Sequence, residues 1–250
     1  MNPAASPGSS AIQPRKFSTT RWSVVLHAGR NDTPNARAAL EQLCRTYWYP
    51  LYAHVRRHGH AAHQAEDLTQ EFFARLLEKQ TLGLADPERG RFRSFMLTAL
   101  DHFLADERDK ARALKRGGGA ELLSLDLAAA ERRYDLEPAD GSAPDRAFDR
   151  QWAMTLLETV LHRLEQEYRH AGKAAVFASL KETLTGTRES QPYGELAEQL
   201  GMNEGAVKVA VHRLRKRYRA CLQDEITHTV SSPDEATEEM RHLFRAIAGG

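Results

Sequence analysis

The chain has 250 residues, with 35 Lys and Arg set against 34 Asp and Glu for a formal net charge of +1, and two cysteines. That length holds one large or two small domains, each able to bury a core, while the charge balance is silent on a nucleic-acid partner. No apolar run approaches membrane-spanning length, the N-terminus lacks the apolar centre of a signal peptide, and mean hydropathy is −0.58, so the expectation is a soluble cytoplasmic chain with no membrane partner.

Charge distribution is more informative than its total. Residues 108–116 and 208–219 are strongly basic, whereas the tail after Cys221 is mostly acidic. Cys44 and Cys221 lie far apart within helical patterns and read as buried small hydrophobes, not as a disulfide framework.

Residues 1–16 are rich in Pro, Ser, Ala and Gly without periodicity and read as a disordered leader. Thr20 is placed to cap a short helix that begins near Trp22. Over 35–58, Ala39, Leu40, Leu43, Tyr47, Leu51 and Val55 recur at helical steps, and Pro50 predicts a kink or break. The aromatic cluster Tyr47, Trp48, Tyr49 and Tyr52 reads as core rather than as a ligand cage.

The next stretch, HGHAAHQAED, groups His58, His60 and His63 with Glu66 and Asp67. These are metal-ligating types, but Gly59 breaks the helix between them and no second ligand cluster accompanies them, so no metal is assigned. Residues 65–78 form an amphipathic helix with Leu68, Phe72 and Leu76 inward and an acidic face of Glu66, Asp67, Gln70 and Glu71. Such a face is either simply solvated or docks a basic partner helix.

After a loop at 81–90 comes RFRSFMLTALDHFLADERDKARALKR. Phe92, Phe95, Met96, Ala99 and Phe103 make its buried stripe, and Arg91, Ser94, Thr98, Asp101, Ala105, Arg108 and Arg112 line another side. Hydroxyl and basic residues mixed in this way suit a nucleic-acid backbone. Residues 117–144 read as a flexible linker with one helical turn near 126–133. From 145 a second helical domain starts, with Phe148, Trp152, Leu156, Val160 and Leu164 in register, followed by a helix over 173–184.

Residues 193–218, YGELAEQLGMNEGAVKVAVHRLRKRY, carry the sharpest signal. A short helix meets Gly201, which can adopt the left-handed conformation, and Asn203 caps a second helix. Val207, Val211, Leu214 and Tyr218 form one apolar stripe, and the other side is basic. This is the helix-turn-helix arrangement for the major groove. The tail adds a helix start at Ser232-Pro233-Asp234-Glu235 and an apolar stripe of Met240, Leu243, Phe244 and Ile247. No glycine-rich phosphate loop, nucleophile elbow or HExxH motif is present, so neither catalysis nor a cofactor is expected.

The combination resembles the bacterial RNA polymerase sigma factors of the extracytoplasmic-function class, in a subgroup with a C-terminal extension. QAEDLTQEFFARL resembles their core-polymerase-binding helix, the stretch 91–116 the helix that engages the promoter −10 element, and 193–222 the region-four helix-turn-helix that reads the −35 element. The resemblance covers most of 17–245. It implies an all-α fold with a region 2 domain over 17–116, a linker over 117–144, a region 4 domain over 145–222 and an extension over 223–250.

It further implies that Asp67, Gln70 and Glu71 contact core RNA polymerase, and that the loop 81–90 captures a flipped base. Arg91, Arg93, Ser94, Arg108, Lys110 and Arg112 would lie along −10 promoter DNA, and Lys208, His212, Arg213 and Lys216 would approach the −35 duplex with Glu204 and Gly205 at the helix entrance. Two departures stand out: Asp101-His102 replaces a common Arg-Asn pair, and Val209-Ala210 replaces a common Ser-Arg pair. The promoter sequence therefore cannot be carried over from relatives. The regulation these features leave open is an anti-sigma partner, or self-inhibition by the tail after Asp224, which by its charge complementarity to 208–219 would fold over the basic surfaces or onto polymerase. The rivals are a stand-alone helix-turn-helix regulator and a metalloenzyme built on the three histidines.

Overall fold

The computed structural model describes residues 34–78, 91–113, 126–137, 143–185, 192–230 and 232–248. The expected leader, the helix near Thr20 and the loop 81–90 lie outside these residues. Among the described residues the fold is all-α, as expected, with α1 (Pro34–Arg57), α2 (Ala62–Glu78), α3 (Phe92–Ala113), α4 (Leu127–Asp135) and α5 (Pro144–His170). Then follow α6 (Ala174–Leu180), α7 (Glu182–Thr185), α8 (Tyr193–Leu200), α9 (Glu204–Thr227) and α10 (Pro233–Ala248).

The first three helices pack through aromatic side chains. Tyr47, Leu51, Tyr52 and Val55 of α1 are fully buried, joined by Phe72, Phe73 and Leu76 of α2 and by Phe92, Met96 and Leu100 of α3. Trp48 stacks on Tyr52 at 5.1 Å, and Tyr47 meets Phe92 edge-on at 5.3 Å. Pro50 does not break the helix, since α1 continues through it. A mid-helix proline costs roughly 3 kcal/mol. Burying each large neighbour returns about 1.5–3 kcal/mol, and four of them flank the proline, so burial prevails.

α5 is the central strut. Phe148, Trp152, Leu156, Val160 and Leu164 are all at most 1% exposed, as the register predicts. The helix packs on α1, α9 and α10, so the core is continuous from Cys44 to Leu243. Both cysteines are buried thiols, with no disulfide between them.

The stretch expected as a flexible linker contains α4, nine residues long and capped by Asp126, whose side chain accepts from the Ala129 N–H. This helix ties α1 to α5. Glu131 accepts from Arg56 Nε at 2.9 Å and from the Tyr52 hydroxyl, while Arg133 donates to Glu158 at 2.8 Å and lies 4.0 Å over the Tyr49 ring. The Glu131 pKa is lowered from its ordinary carboxylate value: burial opposes this, but the bonds from Tyr52 and Arg56 outweigh it. Sequence reading missed this docking because the partners lie 75 or more residues away in α1.

Candidate nucleic-acid interface

α8 and α9 form the helix-turn-helix. Pro192 precedes α8 at its N-cap, and Gly201 closes it at φ +62° and ψ +34°, in the left-handed region where a side chain is strained. Two residues later Asn203 caps α9, its side-chain oxygen accepting from the Ala206 N–H at 2.8 Å. Leu196 of α8 and Val207, Val211 and Leu214 of α9 are buried together, which fixes the angle between the two helices.

The outward side of α9 carries Glu204, Gly205, Lys208, His212, Arg213 and Lys216, all exposed. Lys208 has only a loose pairing with Glu204 at 3.7 Å. Arg215 and Arg217 behave differently, because they brace the helix. Arg215 donates to the Thr183 carbonyl at 2.7 Å, and Arg217 makes a two-pronged bond to Glu167 at 2.6 and 2.8 Å. The basic helix therefore has a structural flank and a solvent-facing flank. α9 also continues past the expected boundary at 222 to Thr227.

On α2, Asp67 and Glu71 are exposed and Gln70 is half-buried, one beside another on the outer face. Glu71 pairs with Arg75, which also reaches Glu107 of α3 at 2.7 Å. Along α3, Ser94 and Arg108 are exposed. Lys110 and Arg112 belong to the helix, but their side chains lie outside the described residues.

Arg91 and Arg93, expected along DNA, have partners within the chain. Arg91 contacts Glu238 at 2.7 Å and Glu239 at 3.1 Å, both on α10. Arg93 is only 7% exposed, bonds Glu239 at 3.0 Å and Asp149 of α5, and lies 5.2 Å over the Trp152 ring. Burial works against its charge, but Glu239 and Asp149 more than compensate, so its pKa rises above the ordinary arginine value. His242 completes the cluster, 2.8 Å from Asp149.

The acidic tail thus does not lie over the outward residues of 208–219, as its charge suggested. It grips the start of α3 instead. A sequence signal for this existed: at helical spacing Arg93 falls on the same side as Met96, Leu100 and Leu104, and Glu239 on the same side as Ala236 and Leu243, all of them buried. Both charged residues sit on core stripes, and two such residues of opposite sign can bury only as a pair. Phe244, expected on the inner stripe of the tail, is instead 56% exposed.

The histidines divide differently from the sequence expectation. Among the described residues the group whose ligand atoms come within 4.8 Å of one another is His54, His58 and Asp101. His54 Nε2 lies 3.0 Å from Asp101, and His58 Nδ1 lies 3.0 Å from the His54 carbonyl, so one hydrogen bond between α1 and α3 and one local bond at the end of α1 account for the arrangement. Burial holds His54 below its ordinary pKa, against the pull of Asp101.

The stacking of α1, α2 and α3, with an acidic face on α2 and a polar face on α3, has a counterpart among known families. Residues 43–113 match the model of sigma-70 region 2. The match takes in the C-terminal half of α1 and all of α2 and α3, including Asp67, Gln70, Glu71, Arg91, Arg93 and Ser94, and it relates this part of the chain to the sigma-70 factors of RNA polymerase. No curated protein and no solved structure is significantly similar to the chain. The helix-turn-helix and α10 lie outside the matched region 2 segment. None of the described helices is long and apolar enough to cross a membrane.

Proposed function

We propose that the chain is a sigma factor of the extracytoplasmic-function class that binds core RNA polymerase and directs promoter recognition, melting and transcription initiation. The observation that carries this is the order of two features: a region 2 segment over 43–113, followed downstream by a capped helix-turn-helix with an exposed basic face. The protein is not an enzyme in this reading and works in the cytoplasm.

The roles distribute over the surfaces described. Asp67, Gln70 and Glu71 dock the polymerase clamp. Ser94, Arg108, Lys110 and Arg112 follow −10 DNA, with Arg91 and Arg93 joining them once released from α10. Base capture belongs to the loop 81–90. Glu204, Gly205, Lys208, His212, Arg213 and Lys216 meet the −35 duplex, where lysines and arginines neutralise phosphates. The region 2 unit spans 17–116, the connecting segment 117–144, region 4 145–222 and the extension 223–250.

The extension is self-inhibitory in this reading. The ion pairs from Glu238 and Glu239 to Arg91 and Arg93 support it, because those arginines cannot serve α10 and DNA phosphates at once. An anti-sigma partner acting on the same surfaces would be a further layer of control.

A pull-down with core RNA polymerase tests the central reading, using wild type and the variant Asp67→Ala/Gln70→Ala/Glu71→Ala. Saturable binding by the wild type that the variant loses while keeping its helical circular dichroism is the expected result. Failure of both the full chain and a chain shortened before Pro233 to bind would overturn it in favour of a stand-alone DNA-binding regulator.

A further inference from the structure

Val207, Val211 and Leu214 turn inward from α9 and are at most 2% exposed. At about 100° per residue, Gly205, Val209, His212 and Lys216 fall on the opposite side of the helix. All four are exposed. Val209 is 49% exposed there, a branched apolar side chain in the middle of a face otherwise made of glycine, histidine and basic residues. Among the described residues the other large hydrophobics with high exposure, Leu136, Met154 and Phe244, lie outside α9.

A single exposed valine is ordinary on a protein surface. The register of this one is not, because it follows the Asn203 cap by less than two turns, along the line on which Gly205 lets the backbone come close to a ligand. In a helix-turn-helix those N-terminal positions of the second helix face the base edges, and the flanking cations reach phosphates. Valine cannot hydrogen-bond a base edge. The one apolar group that an unmodified base presents in the major groove is the thymine C5-methyl.

We propose that Val209 is a specificity-determining residue that reads the C5-methyl group of a thymine in the major groove, an assignment that rests on the reading of α8 and α9 as a DNA-binding helix-turn-helix. Lys208 and Lys216 on either side supply affinity without sequence preference. Discrimination comes from burying a methyl against the valine, a contact that cytosine, lacking the methyl, cannot make.

The test uses the full chain, alone and with core RNA polymerase, to enrich duplexes from a random pool. Each thymine of the enriched site is then replaced singly by deoxyuridine, which removes the methyl and nothing else. Wild type loses about fourfold in affinity at one thymine, the factor that corresponds to burial of one methyl group. The Val209→Ser protein shows no such loss, whereas Lys216→Ala weakens thymine and uracil duplexes alike. Equal binding of every uracil duplex by the wild type, or an unchanged uracil penalty in Val209→Ser, overturns the assignment while leaving the helix-turn-helix reading intact. Failure to enrich any duplex under either condition overturns that reading and the assignment with it.

Discussion

The Arg93 guanidinium and the Glu239 carboxylate lie 3.0 Å apart although 146 residues separate them, and neither is more than 7% exposed. The pair joins the start of α3 to the last helix of the chain. Asp149 and Trp152 of α5 sit on the other sides of the same guanidinium, so three elements meet at one charge.

Removing one partner leaves a buried charge poorly compensated, at a cost of roughly 3–5 kcal/mol. Glu239→Ala should therefore lower the urea midpoint strongly. Glu238→Ala, which removes an exposed partner of Arg91, should change stability by less than about 1 kcal/mol. Equal effects from the two substitutions would show that the buried pair is not what holds α10 in place.

Release of α10 should expose Arg91 and Arg93. Glu238→Lys/Glu239→Lys is expected to raise promoter binding by the full chain and to make α10 sensitive to proteolysis, with both effects falling off as salt screens the interactions. Unchanged affinity alongside a freed tail would remove self-inhibition from the functional reading.

The turn between α8 and α9 depends on two backbone devices. Asn203→Ala removes the cap bond to Ala206 and should cost about 1 kcal/mol. Gly201→Ala places a side chain at φ +62° and should cost about 1–2 kcal/mol. Thermal melts of the two variants measure these losses. The same proteins should bind duplex DNA more weakly, because the face of α9 is oriented through this turn.

His54 predicts a pH dependence. Its folded pKa lies below the ordinary value of 6.5, first because it is buried, with His58 adding to the effect and Asp101 and Asp145 opposing it. The unfolded chain thus takes up the proton first as pH falls. His54 contributes its full stability above about pH 6.5 and loses it progressively below. Unfolding free energies measured between pH 8 and 5 should show this decline, and His54→Gln should flatten it.

Sequence periodicity determined much of this protein without help from tertiary contacts. The stripes of α5 and α9, the left-handed Gly201, the Asn203 cap and the burial of both cysteines follow from local rules, since each depends on residues within a few positions of one another. The acidic face of α2 and the basic face of α9 were legible for the same reason. What tertiary structure alone decided concerns partners distant in the chain: the passage of α1 through Pro50, the docking of α4 between α1 and α5, and the capture of Arg91 and Arg93 by α10. Local pattern marks an arginine as a cation on a helix. Whether that cation meets phosphate or a buried carboxylate depends on which distant helix the core brings against it, and here packing on α5 brings Glu239.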